Sequence, residues 1–276
     1  MKPGDNPNLS MPNPIISCGM YAFSATLRNA WQALFGYLYR SLSLPASTAF
    51  DIRFDNAAND LHNPNLYLGH TCGYPFWNGF FKTHEVITVP EFSIAGCSET
   101  DYSSWIVVRA SDSRKSLGDF RDSIAVVNCH ESNSGMNVFR HEVSRVAAGA
   151  CFFREVKISG SHLNSLSMIQ NGIADIAAID AITFGLAKRS GQIDSSMFKI
   201  LLQTRSTPGL PFIAHRQSSL DAKHIASTLN EGLAHLSQEG FAQLPIRQFS
   251  SVEGEQYHQI MELEEAAIHL GYPELA

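Results

Sequence analysis

Residues 122–148 read "DSIAVVNCHESNSGMNVFRHEVSRVAA". The run 123–127 is short and apolar, the mark of a buried strand. From Val138 onward apolar residues recur at helical spacing. Between the two stand Ser132, Asn133, Ser134 and Gly135, with no bulky side chain among them. A strand that feeds a helix in this way is the elementary step of an α/β fold. The step leaves the first helical amides unpaired just beyond the strand, where the helix dipole favours negative charge. On spacing alone the same residues also serve as an ordinary N-cap, because Ser and Asn are preferred there.

The same alternation runs along the chain. Short apolar runs predict strands at 14–20, 65–70, 86–90, 104–110, 154–159, 175–180, 198–204 and 211–215. A helix is expected at 23–40, where Phe23, Leu27, Ala30, Trp31, Leu34, Phe35 and Leu38 share a face. Another is expected from His162 to a glycine C-cap at Gly172, with further helices at 181–189, 221–238 and 255–270. Strands alternating with helices predict parallel sheets, whose ligands sit beyond the carboxyl ends of strands. At 276 residues the chain exceeds what one core usually organises, so two domains are expected. There is no internal repeat and no low-complexity linker.

Composition narrows the function. Hydrophobic residues make up 44% and charged residues 17%, a globular balance. A net charge of −6 argues against a general nucleic-acid binder, which needs a basic face. No apolar run of the length of a membrane span occurs, so stable membrane insertion is not expected. Five widely spaced cysteines give neither a disulfide framework nor a zinc knuckle and read as buried free thiols. The start "MKPGDNPNLSMPNP" lacks the apolar segment of a signal peptide. The expected location is therefore periplasmic if an export signal has been removed, and otherwise cytoplasmic.

Three more junctions carry chemistry. His162 follows a strand and Gly160, where it can donate to an oxyanion or lie as a surface histidine. Asp180, at the end of "DIAAID", caps a helix or faces a ligand. In "GHTCGYPFW", Cys72 close to His70 raises a nucleophile, but nothing supplies an assigned base or oxyanion hole. "HEVSR" is no zinc motif, since Arg145 stands where the second histidine belongs. No P-loop, G-x-S-x-G or dinucleotide fingerprint occurs. No catalytic residue, cofactor or metal is expected.

Taken in order, "DYSSWIVVRASDSRKSLGDFRDSIAVVNCHESNSGMNVFR", "SGSHLNSLSMIQNGIADIAAIDAITFGLAKR" and "TRSTPGLPFIAH" resemble the phosphonate-binding (PhnD-like) solute-binding proteins of ABC transporters. "SCGMYAF" and "TCGYP" fit the N-terminal part of the same family. The resemblance spans roughly 14–250. It implies an α/β, type II periplasmic-binding-protein fold with two lobes, each a mainly parallel sheet flanked by helices, and two hinge crossings. Carried onto this chain, lobe one is 12–98 with 205–276, lobe two is 103–199, and the hinges lie near 98–103 and 199–206.

The resemblance also implies a function, which is to bind a small anionic ligand (a phosphonate or phosphate-like compound) in the cleft and deliver it to an ABC transporter permease. It implies an anion held by Ser132, Asn133, Ser134 and His162, aromatic contacts from Tyr21 and Tyr102, and an acidic contact from Asp180. Thr71, Cys72, Tyr74 and Gly135 are further candidates for the lining. Asn133 stands where the family often has threonine. Two alternatives share the scaffold: an enzyme acting on a small metabolite, and a cytoplasmic ligand-sensing domain.

Overall fold

A computed structural model describes residues 13–42, 49–55, 57–149, 151–238 and 244–276. The polar start at 1–12, including the expected boundary at residue 12, lies outside the described residues. The chain divides into two units, residues 1–93 with 209–256 and residues 94–208 with 257–276.

The first unit opens with strand β1 (Ile15–Ser17) and helix α1 (Ala25–Ser41), followed by β2 (Asp51–Arg53), α2 (Ala57–Asp60) and β3 (Leu66–His70). Next come α3 (Gly73–Pro75), which runs into a π-helical turn Phe76–Phe80, and β4 (His84–Phe92). Ser24 caps α1 by accepting from the Leu27 amide. The α1 face expected from spacing is the buried one, except that Phe23 precedes the helix.

In the second unit β5 (Cys97–Ser98), β6 (Asp101–Tyr102), β7 (Ser104–Arg109) and β8 (Ile124–Val127) lead to a π-helical turn Asn133–Asn137. That turn continues as α4 (Val138–Ala147). Then follow β9 (Glu155–Ile158), α5 (His162–Gln170), β10 (Ile176–Asp180), α6 (Ala181–Arg189), β11 (Phe198–Gln203) and β12 (Thr207–Pro208). The chain returns to the first unit for β13 (Phe212–His215), α7 (Ala222–Gln238) and β14 (Ile246–Ser250). It ends with α8 (His258–His269) in the second.

Sheet order in the first unit is β14-β4-β13-β3-β1-β2. The second unit has a sheet β11-β7-β10-β8-β9 and a small one, β12-β6-β5. The sheets are mixed, which corrects the expectation of mainly parallel pairing. Parallel contacts are confined to β2-β1-β3 and β10-β8-β9, where helices make the crossovers. Strands β4 and β13 flank the excursion into the second unit, so the chain leaves by one and returns by the other, antiparallel.

Alternation along the strands of the larger second-unit sheet builds two cores. Ile106, Val108, Ala125, Val127, Ile176 and Ala178 face α4 and α8, whereas Val107, Val126, Ala177 and Ile179 face α5 and α6. The first core also corrects the expected domain boundary. Residues 257–276 were expected with the first lobe, yet Leu263, Tyr272 and Leu275 pack with Phe139, Val143 and Phe152. The Phe152 and Phe153 amides both donate to the Ala276 carbonyl. The sheet face that α4 leaves bare is closed by α8, and burying that apolar strip outweighs chain continuity. The chain therefore passes between the units three times, not twice. Among the described residues no helix is long and apolar enough to cross a membrane.

Candidate functional site

Three helices begin at the carboxyl ends of the adjacent parallel strands β8, β9 and β10: the turn leading to α4, then α5, then α6. Each start is capped by its own side chain. Ser132 Oγ accepts from the Gly135 amide at 2.9 Å, Ser161 Oγ accepts from the Asn164 amide, and Asp180 Oδ1 accepts from the Thr183 amide at 2.8 Å. Three dipoles thus end along one edge of one sheet, a setting that favours an anion.

The Ser132 junction is the most elaborate of the three. Ser132, Asn133 and Ser134 are buried. Ser134 Oγ lies 2.9 Å from His162 Nε2 and 3.5 Å from Ser132 Oγ. Two loop bonds bring His162 there: the Ser159 amide donates to the Val127 carbonyl and the Gly160 amide to the Asn128 carbonyl. Gly160, at a φ of 85°, holds the left-handed conformation that this corner requires.

Asn133 plays a different part from the expected one. Its Nδ2 donates to Tyr102 Oη at 3.2 Å and to Thr207 Oγ1 at 2.8 Å, and its Oδ1 accepts from Asn137 Nδ2. The carboxamide therefore braces the junction against β6 and β12. Ser104 Oγ donates to the Ser134 carbonyl and fixes the turn from below. Ser104, Thr207, Asn137 and Asn128 were not legible in the sequence as parts of this site. Their side chains are ordinary polar residues that only the pairing of distant strands brings here.

Gly135 is present for lack of space. A Cβ there would lie 1.9 Å from Asn128 Oδ1 and 3.1 Å from His162 Cε1. Alanine outranks glycine in a helix by about 1 kcal/mol, so an open site would gain from Gly135→Ala. The packing predicts a net loss of about 1–3 kcal/mol from overpacking, recovered when Asn128→Gly is added. Urea denaturation of the single and double variants checks this, and a Gly135→Ala protein as stable as the parent refutes the packing.

His162 keeps part of its surface exposed, but its Nδ1 is sealed from solvent and makes no full hydrogen bond. Burial lowers its pKa to about 4, opposed by the Ala178 carbonyl. The free protein therefore holds a neutral imidazole near neutral pH.

The other expected residues belong to the first unit. Tyr21 is 1% exposed, edge-on to His70 and Phe92. Thr71, Cys72 and Tyr74 follow β3 into α3, with Thr71 and Cys72 buried and Tyr74 half-buried. His70 is engaged with other groups of the first unit. Its Nδ1 contacts Cys18 Sγ at 3.7 Å, it stacks on Phe212, and burial lowers its pKa to about 3. The expectation of buried cysteines is corrected in part: Cys18 and Cys72 are buried, Cys97 is half-buried, and Cys129 and Cys151 are exposed. No cluster of side chains able to hold a metal ion occurs among the described residues.

Comparison with known proteins bears on this arrangement. The family model described as ABC transporter, phosphonate, periplasmic substrate-binding protein matches residues 21–257. No curated protein matches the chain in sequence. Among solved structures, a binding protein component of an ABC phosphonate transporter from Pseudomonas aeruginosa superposes with a TM-score of 0.70 at 15% identity, covering 94% of this chain and 87% of that one. PhnD1 from Prochlorococcus marinus, in complex with methylphosphonate, gives 0.68 at 14% identity, with coverages of 91% and 97%. The periplasmic aliphatic sulphonate binding protein SsuA from Escherichia coli gives 0.63 at 14%, covering 96% of each chain. At such identities the structural likeness shows the fold, that of type II periplasmic binding proteins.

Proposed function

The chain belongs to the family of periplasmic substrate-binding proteins of phosphonate ABC transporters, whose members bind solutes and are not enzymes, and from that premise we propose that it captures a small phosphonate or phosphate-like oxyanion for delivery to an ABC permease. The observation that carries this reading is the buried Ser132–Ser134 helix start, with its two hydroxyls and with His162 at 2.9 Å from Ser134. Neutral O–H and N–H donors with the helix dipole bind an oxyanion without a lysine or arginine.

In this reading Tyr21 and Tyr102 supply aromatic surface, and Asp180 addresses a ligand amine or orders the donors. Thr71, Cys72 and Tyr74 are further lining candidates. The hinge roles of 98–103 and 199–206 and a periplasmic location are parts of the same proposal. The small sheet β12-β6-β5 ties the two segments together, since Tyr102 faces both Cys97 and Thr207.

A thermal-shift panel of methylphosphonate, aminoalkylphosphonates, phosphite, phosphate and alkylsulfonates tests the ligand class. A ligand at 100 times its dissociation constant stabilises the native state by about 2.7 kcal/mol. The expected hits are phosphonates or phosphate-like anions. A response to sulfonates alone overturns the phosphonate assignment, and silence across the panel overturns the oxyanion reading.

A further inference from the structure

A hydroxyl donates one hydrogen bond, and Ser134 has a competitor for it. Its Oγ meets His162 Nε2 at 2.9 Å. On the far side of the ring Nδ1 lacks a full hydrogen bond, although the Ala178 carbonyl still favours a proton on the imidazole. A neutral ring carries one proton. With that proton at Nδ1, Nε2 is the acceptor and Ser134 the donor. The other tautomer leaves a lone pair at Nδ1 with no donor to meet it.

In the free protein Ser134 therefore directs its proton to His162 and presents lone pairs to an incoming anion, the wrong polarity. A second proton on the ring reverses the chain of bonds. Nε2–H then donates to Ser134 Oγ, and the released hydroxyl proton turns to the anion. Taking the junction as an oxyanion site, as argued above, we infer that ligand capture takes up one proton from solvent onto His162 and that Ser134 passes its hydrogen bond to the anion.

Asn128 completes the device. Its Oδ1 is buried and unpaired, and both it and His162 Cε1 crowd the space that a side chain at 135 would need. An unused amide oxygen near the ring favours the charge that the imidazole gains when Nε2 takes up the second proton. Since Oδ1 is sealed from solvent, Asn128 acts through His162 and is a positioning residue, not a ligand contact.

Burial withholds the charge until the anion arrives. No other group on α5 titrates. The loop before the junction carries Cys129, His130 and Glu131. On α4, Arg140 pairs with Glu264 and Glu142 with Arg145 and His141. On β7, Arg109 pairs with Asp175, which precedes β10, and Asp180 caps α6, whose last turn carries Lys188 and Arg189. None of these carboxylates acts on the His162 ring, which leaves the bound anion as the counter-charge to its proton.

The test uses the full chain labelled with nitrogen-15 at histidine, free and saturated with methylphosphonate at pH 6, together with calorimetric titration in two buffers of different ionisation enthalpy. Free His162 is expected to show one protonated and one bare nitrogen, and both protonated when saturated. Uptake approaches one proton per ligand and is lost in His162→Gln. Affinity falls as pH rises through the bound-state pKa of the ring, by up to about ten-fold per unit. Asn128→Val keeps the fold and lowers the bound-state pKa of the ring, so that the fall in affinity ends at a lower pH than in the parent, and an unchanged pH profile removes Asn128 from the device. Binding with His162 still singly protonated overturns the coupling and leaves the oxyanion site standing. Absence of heat with methylphosphonate, phosphite and phosphate overturns both.

Discussion

Replacing Ser132 and Ser134 together by alanine is expected to weaken oxyanion binding by about a hundred-fold to ten-thousand-fold. Each hydroxyl donating to a charged group contributes roughly 1.5–3 kcal/mol, and about 1.4 kcal/mol is a factor of ten. The two losses are not alike. Ser134→Ala removes a donor and its link to His162, whereas Ser132→Ala also removes the cap on the Gly135 amide. The second change therefore costs about 1 kcal/mol of stability as well. Calorimetric titration with the best ligand of the panel, paired with urea denaturation, separates these effects. Affinity within three-fold of the parent in the double variant rules the junction out as the anion site.

Acid should destabilise the first unit before the second. Burial lowers His70 to about 3 and His84 to about 4 in the first unit, and His162 to about 4 in the second. Each of these groups binds a proton more weakly folded than unfolded, where its pKa is near 6.5. The stability they contribute is fully present above pH 6.5 and is lost as pH falls from there through about 4 for His84 and His162 and through about 3 for His70.

By pH 4.5 the loss is on the order of 2–3 kcal/mol per histidine, large against a total of about 5–15 kcal/mol. His84 faces His215 with ring centroids 4.1 Å apart, so a charge on one opposes a charge on the other. Asp112, Asp175 and Glu142, held low by hydrogen bonds and nearby cations that overcome burial, lose their contribution only at more acid pH. Hydrogen exchange at pH 7 and pH 4.5 should show protection lost first at β3, β4 and β13. His70→Phe removes a polar ring with an unpaired buried Nε2 and should flatten the urea midpoint against pH by about one proton. The same slope in the variant and the parent contradicts this account.

Much of the fold was legible because local periodicity is a local property. The apolar spacing of α1, α5, α7 and α8 and the short runs of β3, β7, β8 and β10 are written in adjacent residues, and the structure places all of these elements close to where they were expected. The short pieces β5, β6 and β12 were not visible, since two-residue strands carry no period and exist only because Tyr102 finds Cys97 and Thr207 across the chain. The antiparallel pairing of β4 with β13 was hidden for the same reason. It depends on a return after an excursion of more than a hundred residues.

The site divides in the same way. The amino-acid order alone determined that a strand hands over to a helix through Ser132, Asn133, Ser134 and Gly135, and that His162 and Asp180 begin two further helices, because capping is decided within a few residues. Tertiary structure decided what those residues do. It turned the Asn133 carboxamide inward to Tyr102 and Thr207, set Asn128 against Gly135, and brought His162 to Ser134 while burial removed its charge. It also moved α8 into the second unit. The reason is physical: capping and periodicity are set by neighbours in sequence, whereas desolvation, hydrogen-bond pairing and core closure are set by whichever distant groups share the space.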